Sequence, residues 1–417
     1  SSICEKETEG EVNGLEIKEP FHVRRPVSPA SLLVQNILAR VGNPPVRVIL
    51  WDGTVIAPPG GPPELSIRFR KKSALFHLFL DPEAYFGEGY ASGLIEIEGD
   101  LVRFLETIYL SLSGIKISPI WSLFPKRARN NQSRSLQNIH SHYDIGNAFY
   151  RLWLDPEMLY TCAYFPRPDM SLEAAQTAKM DYVCHKLQLR AGEEVVEAGC
   201  GWGALALHMA KYYGVRVKAY NISREQVSQA RKRAAEEGLS GRVEFIEEDY
   251  RKIRGQFDAF VSVGMLEHVG PENYQALGGV IHGCLKERGR GLIHTIGRNS
   301  PATLSEWVEQ KIFPGAYPPT LKEMMAVFEP CSFSICDIEN LRLHYWKTLE
   351  HWLFRFDAAE ETINRMFDPA FTRAWRLYLA GSLVAFKTGT LQLFQVVFTR
   401  DRNNEIPWSR DYIYGKV

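Results

Sequence analysis

The segment Val195-Val-Glu-Ala-Gly-Cys-Gly-Trp-Gly203 decides the fold of this chain. Two valines belong to a short apolar run that is typical of a buried strand, three glycines follow in a loop, and the apolar residues through Met209 have the character of a helix. Strand, glycine loop and helix in this order form a ligand pocket beyond the carboxyl end of a strand in an open α/β sheet. The missing side chains let a ligand lie against the backbone, and the helix N-terminus offers unpaired N–H groups.

The acidic residue of this segment indicates the kind of ligand. Glu197 closes the predicted strand, and a carboxylate suits a cationic amino group or ribose hydroxyls better than a pyrophosphate. This favours S-adenosylmethionine (AdoMet). Glycine loops of this kind also hold NAD, or merely turn the chain, so the loop by itself leaves those alternatives open.

Strand and helix patterns alternate on both sides of the glycine loop. Candidate strands occupy residues 193–197, 215–220, 242–246, 257–262, 290–296 and 393–399, and candidate helices occupy 171–189, 203–213, 223–237 and 272–285. The alternation predicts a doubly wound, Rossmann-like α/β domain with a parallel sheet, which we place over residues 143–417. Asn221 follows the second strand and Tyr250 the third, so both are expected at the sheet edge that carries the glycine loop.

The first third of the chain is organised differently. Residues 1–20 are acidic and polar and are expected to be flexible, residues 21–120 to form a smaller N-terminal domain, and residues 121–142 to form a basic linker. The elements predicted inside the small domain are strands at 46–51 and 65–69 and an amphipathic helix at 100–112.

The composition excludes several classes of protein. The 417 residues carry 49 Lys or Arg and 49 Asp or Glu, so no net charge attracts nucleic acid. The seven cysteines include no CxxC pair, and His140 and His142 lack acidic or cysteine companions, so neither a disulfide framework nor a metal site is expected. No signal peptide is recognised and no run of 18 apolar residues spans a membrane, which predicts a cytoplasmic protein.

Two basic clusters offer a way to meet a lipid surface. They consist of Arg68, Arg70, Lys71 and Lys72 in the small domain and of Lys126, Arg127 and Arg129 in the linker. Each such charge near an anionic surface contributes about 1 kcal/mol to binding. The alternative is that these side chains are ordinary solvated residues, and the sequence leaves both interpretations of the first cluster open.

Six sequence motifs occur in a defined order between residues 140 and 400. They are His142-Tyr-Asp-Ile-Gly-Asn147, Tyr160-Thr-Cys-Ala-Tyr-Phe165, Gly201-Trp-Gly203, Gly264-Met-Leu-Glu-His-Val-Gly270, His294-Thr-Ile-Gly297 and Ile312-Phe-Pro-Gly315. With them the chain resembles the cyclopropane-fatty-acyl-phospholipid synthases and their mycolic-acid relatives. More loosely, Tyr85–Gly93 together with Gly99–Leu101 is similar to the extra N-terminal domain of the phospholipid-acting members.

The resemblance implies a class I AdoMet-dependent methyltransferase and a defined reaction. This family transfers the methyl group of AdoMet to a cis double bond of an unsaturated phospholipid acyl chain, and then removes a proton to close a cyclopropane ring. The base in the resembling enzymes is a bicarbonate ion. Loss of a different proton would instead give a methylene- or methyl-branched chain. A lipid-binding or AdoMet-sensing protein with an inactive site is a third candidate, which the intact motifs disfavour.

The resemblance also implies the roles of individual residues. Bicarbonate is expected to contact Cys162, Glu267, His294, the backbone around Ile296, and Tyr345. AdoMet is expected to contact Tyr160, Thr161, Glu197, Gly199, Gly201, Gly203, Asn221, Gln226 and Tyr250. Aromatic rings expected to stabilise the sulfonium and a carbocation are Tyr143, Phe149, Tyr150, Trp153, Tyr160, Tyr164 and Phe165.

Ordinary structural explanations compete with these roles. Cys162 could be a small buried apolar residue, and Glu267 could cap a strand end. His294 lies in an apolar strand, where a buried, hydrogen-bonded histidine is common, and Tyr345 lies in an aromatic segment that also suits the core of a helix. Ser382 stands where relatives often carry cysteine, which argues against an obligatory thiol nucleophile at that position.

The partners expected from the resemblance are lipids. We expect unsaturated membrane phospholipids as substrates, peripheral attachment to the inner face of the cytoplasmic membrane, and a homodimer.

Overall fold

The computed structural model describes residues 28–58, 64–112 and 145–414. The predicted flexible N-terminus and basic linker, including the cluster at 126–129, lie outside the described residues, as do His140, His142 and Tyr143. Within the described residues, no helix is long and apolar enough to cross a membrane.

A small mixed sheet and several helices form the N-terminal part. The helices are α1 (Pro29–Arg40), α2 (Lys72–Leu80), α3 (Pro82–Ala91) and α4 (Leu101–Leu112), and the strands are β1 (Val46–Ile49), β2 (Val55–Ile56), β3 (Leu65–Phe69) and β4 (Ile95–Glu98). The strand order is β2-β1-β3-β4, with β1 and β3 parallel and the other pairs antiparallel. The predicted strands at 46–51 and 65–69 and the helix at 100–112 are confirmed, whereas α1, α2, α3, β2 and β4 were not predicted.

The larger α/β part follows from residue 145. Its strands are β5 (Glu194–Ala198), β6 (Arg216–Asn221), β7 (Val243–Glu247), β8 (Phe257–Val263), β9 (Leu285–Gly297), β10 (Ser334–Asn340) and β11 (Gln392–Thr399). Its helices are α5 (Asn147–Tyr150), α6 (Leu172–Lys186), α7 (Ala204–Tyr213), α8 (Arg224–Glu236), α9 (Leu266–Val269), α10 (Tyr274–Cys284), α11 (Glu306–Lys311), α12 (Leu321–Phe328), α13 (Arg342–Ala358), α14 (Glu360–Met366), α15 (Pro369–Thr388) and α16 (Asp411–Tyr414), with 3₁₀ turns at Tyr250–Lys252, Pro271–Asn273 and Glu329–Cys331.

The sheet of this part has the order β10-β11-β9-β8-β5-β6-β7. Strands β5 to β9 are parallel, and apolar cores lie on both faces, because the adjacent Val195 and Val196 belong to different clusters of buried residues. The predicted doubly wound α/β fold is confirmed. Two details differ from the prediction. Strand β10 was missed, and β11 runs antiparallel to both neighbours, which the hydrophobic pattern does not specify.

The connection order places a ligand crevice beside β5. The chain passes from β5 outward to β6 and β7 and then returns to β8 on the other side of β5. Beyond the carboxyl ends of β5 and β8 the crossing loops diverge, and open α/β sheets bind their ligands at this topological switch point. The glycine loop, the end of β6 and the loop that begins at Gly264 all open into this region.

The two parts of the chain share one apolar cluster. It joins N-terminal residues such as Val48 and Phe104 to α15 residues such as Phe386. Polar contacts continue along α15, where Arg373 Nε donates to the carbonyl of Ala91 at 2.8 Å and Lys387 Nζ lies 2.7 Å from a carboxylate oxygen of Glu106. The N-terminal part therefore packs on the larger α/β part through helix α15.

Replacing Gly203 with alanine is expected to destabilise the fold. Gly203 has φ +85°, and a Cβ there would lie 2.6 Å from the Phe245 ring and 2.9 Å from Ala230 Cβ. The Gly203→Ala variant should lose about 1–3 kcal/mol of unfolding free energy, measured by urea denaturation. Gly279→Ala is the matched control, because Gly279 is exposed in α10 with no atom within 4 Å of its Cβ position, and it should gain about 0.5–1 kcal/mol. Equal stabilities of the two variants would contradict the packing described for the loop.

Candidate active site

The glycine loop after β5 presents bare backbone to the crevice. The N–H groups of Gly199 and Cys200 both donate to the carbonyl of Tyr220, at 2.9 and 3.2 Å, which ties the loop to the end of β6. Gly201 has φ +53° and no atom within 4 Å of its Cβ position. Unlike Gly203, which is closed in by side chains, Gly201 therefore leaves room for a ligand directly over the backbone.

Polar side chains at the end of β6 join this loop. Asn221 Nδ2 donates to the carbonyl of Gly201 at 3.2 Å and to Gln226 Oε1 at 2.8 Å, and Asn221 Oδ1 accepts from the Ser223 N–H. The structure thus brings together Asn221, Gln226 and the glycine loop, as the sequence predicted. Their mutual hydrogen bonds fix the edge of the crevice where ribose hydroxyls are expected.

Glu197 lies buried beneath the loop beside a lysine that the sequence analysis missed. Burial raises the pKa of Glu197 to about 8, against the opposing effect of Lys179, and Glu197 Oε2 has no hydrogen-bond partner. Lys179 on α6 is also buried, which lowers its pKa to about 8. The signal was present, because Lys179 lies on the same helical face as the buried residues Gln176 and Val183.

The segment Tyr160–Phe165 is held between α6 and α13. From α6, Lys179 Nζ donates to Thr161 Oγ1 at 2.7 Å and Gln176 Nε2 to the Thr161 carbonyl at 2.9 Å. From α13, Thr348 Oγ1 accepts from the Ala163 N–H at 3.0 Å, and His344 Nδ1 accepts from the Phe165 N–H at 3.0 Å. A Cβ on Gly264 would lie 3.1 Å from the Thr161 methyl group, so the segment also touches the loop after β8.

Glu267 and His294 are buried at the carboxyl ends of β8 and β9. Glu267 Oε1 accepts from the Ile296 N–H at 3.0 Å, whereas Oε2 has no hydrogen-bond partner among the residues that the structure describes, and burial raises the pKa of this carboxyl. His294 Nδ1 accepts from Gln395 Nε2 at 2.9 Å. Burial, with Lys179 nearby, holds the pKa of His294 well below its usual value, so the ring is neutral and carries its proton on Nε2, which has no partner.

Cys162 is a buried thiol rather than an activated nucleophile. Its Sγ donates to the carbonyl of Ala163 at 3.1 Å and lies 4.0 Å from Thr348 Oγ1. Burial raises the pKa of this thiol, so the sulfur is protonated at neutral pH. Ser382, on α15, is half-buried and offers no thiol either.

Aromatic rings pack around this segment. Tyr160 and Trp352 contact at a ring distance of 5.4 Å, Tyr345 packs edge-on against Trp352 at 5.9 Å, and the Tyr160 hydroxyl lies 2.7 Å from that of Tyr378. The predicted rings Phe149, Tyr150 and Trp153 belong to the same cluster. Two other predicted rings also stack on side chains of the neighbouring helices: Tyr164 on Tyr182 at 4.2 Å and Phe165 on His351 at 5.6 Å.

Tyr250 lies in the 3₁₀ turn after β7. The Arg251 guanidinium covers its ring at 4.8 Å, and Asp249 holds that guanidinium through an ion pair of 2.9 Å. Burial raises the pKa of Tyr250 to about 12, against the opposing effect of Arg251. The expected contact of Tyr250 with the adenine ring stays a prediction.

The fold and this crevice together define an AdoMet-dependent methyltransferase. A nucleoside-bearing amino acid needs three binding elements. The crevice provides them as a glycine loop open to a ligand, the polar side chains of Asn221 and Gln226 at the end of β6, and the buried acid Glu197 at the end of β5. Groups able to contact a reacting centre lie beside them on β8, β9 and the Tyr160–Phe165 segment.

Known proteins similar to the chain agree with this class. The mycolic acid cyclopropane synthetase family matches residues 130–396, and a domain of unknown function matches residues 33–115. A probable fatty acid methyltransferase of Pseudomonas putida is 34% identical over 381 residues, which are 89% of this chain and 96% of that protein. The cyclopropane-fatty-acyl-phospholipid synthase of Escherichia coli is 41% identical over 270 residues, covering 64% of this chain and 69% of that protein.

A solved structure of the same kind superposes on the α/β part. Mycolic acid cyclopropane synthase CmaA1 complexed with SAH and CTAB has a TM-score of 0.61 and 28% identity, covering 64% of this chain and 98% of that one. The chain belongs to the mycolic acid cyclopropane synthetase family. It is an AdoMet-dependent methyltransferase that acts on lipid double bonds, and the resemblance seen in the sequence is confirmed.

Replacing Glu267 with glutamine is expected to slow turnover without weakening AdoMet binding. The buried Oε2 has no hydrogen-bond partner among the described residues, and Glu267 is not one of the residues expected to contact AdoMet, so the change alters a group that is available to the reacting centre. We expect kcat to fall about 100-fold in Glu267→Gln, with an unchanged calorimetric Kd for AdoMet. Glu272→Gln, an exposed acid five residues further on, is the control and should be fully active. Normal kcat in Glu267→Gln would remove this residue from the site.

Proposed function

We propose that the protein methylates the cis double bond of unsaturated phospholipid acyl chains and closes a cyclopropane ring, with bicarbonate as the general base. The observation that carries this proposal is the pair of buried, unpartnered polar atoms, Glu267 Oε2 and His294 Nε2, at adjacent strand ends. Buried polar atoms are normally hydrogen-bonded, so two orphans beside a cofactor loop indicate a bound polar group.

The chemistry of these groups fits a small oxyanion. His294 offers an N–H donor at Nε2, and burial raises the pKa of Glu267, which helps this carboxyl to share a proton with a bound anion. Cys162 is a protonated thiol. It follows Thr161, whose methyl group contacts the loop after β8 at Gly264. Bicarbonate has three oxygens to accept such donors, and when bound it would supply a base for the proton that leaves the transferred methyl group. The contacts of Ile296 and Tyr345 with it are proposed with the others.

The chain itself has to align the reactants and tolerate a cation. An alkene is a weak nucleophile, so the fixed glycine loop and the clamped Tyr160–Phe165 segment must hold the sulfonium methyl group against the double bond. Fixed alignment of this kind lowers barriers by roughly 7–11 kcal/mol in favourable cases. The rings of Tyr160 and Trp352 offer faces that stabilise positive charge, and their packing excludes water that would trap it.

A branched product is the second candidate. The Pseudomonas putida relative, a probable fatty acid methyltransferase, matches almost the full chain, including the N-terminal part. Methyl transfer followed by loss of a different proton would use the same crevice and the same base, so this relative supports a methylene- or methyl-branched chain as the alternative product.

The product can be identified directly. The protein is incubated with AdoMet, bicarbonate and vesicles of dioleoyl phosphatidylglycerol, and the released fatty acids are examined by proton NMR. We expect upfield cyclopropyl signals, because the buried base lies at the reacting centre and can remove a proton from the transferred methyl group. Vinylidene protons at the same added mass would establish the methylene product instead. Unchanged oleate, with AdoMet bound, would contradict the proposed substrate.

We propose that α2 attaches the protein to the membrane surface. Lys72, Phe76 and Leu80 lie four residues apart on one side of α2, and the two apolar side chains are 44% and 58% exposed. Lys71 and Lys72 are exposed beside them. Of the predicted basic cluster, Arg68 and Arg70 are instead paired with Glu98 and Glu96, each at 2.6 Å, and so are not free to meet headgroups. An apolar face edged by lysines suits an anionic bilayer.

Removing this apolar face is expected to weaken vesicle binding. The double variant Phe76→Ala with Leu80→Ala should reduce the partition coefficient on phosphatidylglycerol vesicles at least about tenfold in a flotation assay, because both side chains lose burial in the bilayer. Tyr212→Ala, which removes a 66% exposed ring on α7, is the control and should bind normally. Equal binding by all three proteins would exclude α2 as the attachment site. The homodimer and the cytoplasmic location stay predictions.

A further inference from the structure

Arg298 stands out because its charge has no counter-ion within the described residues. It follows β9 and is half-buried, its Nε is buried without a hydrogen-bond partner, and burial lowers the pKa of its guanidinium. Other arginines of the same strand are satisfied: Arg290 is paired with Glu193 at 2.7 Å, and Arg288 with Glu405. The buried Nε lacks a partner among the described residues, and buried polar atoms are normally hydrogen-bonded, so this position is suited to an anionic ligand.

The backbone holds Arg298 at the mouth of the active site. Its N–H donates to the carbonyl of Pro319 at 2.9 Å, and the residue forms a β-bridge with Thr320. The extended strand places it about 13 Å beyond His294 along β9. The polar neighbour Tyr317 donates its N–H to the carbonyl of Glu267 at 2.7 Å, so the same loop touches both Arg298 and the proposed base site.

The other neighbour comes from the N-terminal part. Tyr109 on α4 lies close enough to Arg298 for each to influence the charge of the other. The guanidinium therefore lies between the carboxyl edge of the large sheet and the helix that ends the small domain. The Tyr317 hydroxyl already donates to Glu323 Oε1 at 2.7 Å, so the guanidinium fork is the group that can bind phosphate oxygens.

We propose that Arg298 binds the headgroup phosphodiester of the lipid whose acyl chain is methylated. The inference rests on the proposed function and adds a headgroup site to it. A mid-chain double bond stands many methylene groups from the headgroup, so the side chain of Arg298 has to extend away from Glu267, and its neighbour Tyr109 of the small domain indicates that direction. A guanidinium can donate two parallel hydrogen bonds to the two free oxygens of a phosphodiester.

The test compares lipids with and without phosphate in the same carrier. Initial rates of methylated product are measured by mass spectrometry with dioleoyl phosphatidylglycerol or dioleoylglycerol in non-ionic detergent micelles, which removes any effect of vesicle attachment. Arg298→Gln should raise KM for the phospholipid about tenfold or more, because it loses charge-assisted hydrogen bonds, and should leave dioleoylglycerol kinetics unchanged. The KM of Arg298→Lys for the phospholipid should lie between those of the wild type and Arg298→Gln, since an ammonium keeps the charge but cannot donate two parallel hydrogen bonds. Arg288→Gln is the control and should behave as wild type, because Arg288 forms an exposed ion pair with Glu405 near the opposite end of β9.

The remaining outcomes separate this inference from the proposed function. AdoMet affinity equal to wild type shows that Arg298→Gln is folded. Equal KM changes for both lipids would overturn the headgroup assignment while leaving the methylation itself intact. If inorganic phosphate inhibits the wild type but not Arg298→Gln, and yet the phospholipid KM is unaltered, the site takes free phosphate and the lipid assignment is wrong. Methylation of neither lipid by the wild type would instead contradict the proposed function.

Discussion

The site depends on the clamp that holds Tyr160–Phe165 between α6 and α13. Lys179 and Gln176 bind one side of this segment, and Thr348 and His344 bind the other. The segment in turn touches the loop after β8, which carries Glu267. We therefore expect the relative position of cofactor and lipid to depend on these hydrogen bonds, which come from helices on both sides of a short irregular segment.

Burial disfavours the charged forms of the acids and bases in the site. It raises the pKa of Glu197, Glu267 and Cys162 and lowers that of His294. In the proposed reaction, neutral donors would hold bicarbonate without cancelling its basicity, as a fully charged lysine in contact would. The positive charge of the sulfonium and of the carbocation would then be met by aromatic faces rather than by a fixed carboxylate.

The sequence predicted what periodicity and glycine chemistry specify. Strands β5 to β9 and helices α6, α7 and α8 were placed within a few residues, because long buried strands alternating with amphipathic helices give strong patterns. Strand β10 was missed because it lies at a sheet edge and most of its side chains are only partly buried. Lys179 was not predicted as a site residue, because a lysine in a helix is normally solvent-exposed. Its burial follows only from the burial of the helix face on which it lies. The ion pairs of Arg68 and Arg70 depend on the pairing of β3 with β4, which no local pattern contains.

The chemistry of the buried side chains explains why the proposed reaction relies on alignment rather than on a strong nucleophile. A buried, protonated Cys162 cannot attack the sulfonium, and Ser382 supplies no thiol. In the proposed reaction the nucleophile is the alkene itself, whose reactivity no side chain can raise by deprotonation. Barrier lowering has to come from holding two unreactive partners in contact in a dry, apolar space. A clamp made of buried hydrogen bonds suits that task, because buried hydrogen bonds are costly to break and so permit little movement.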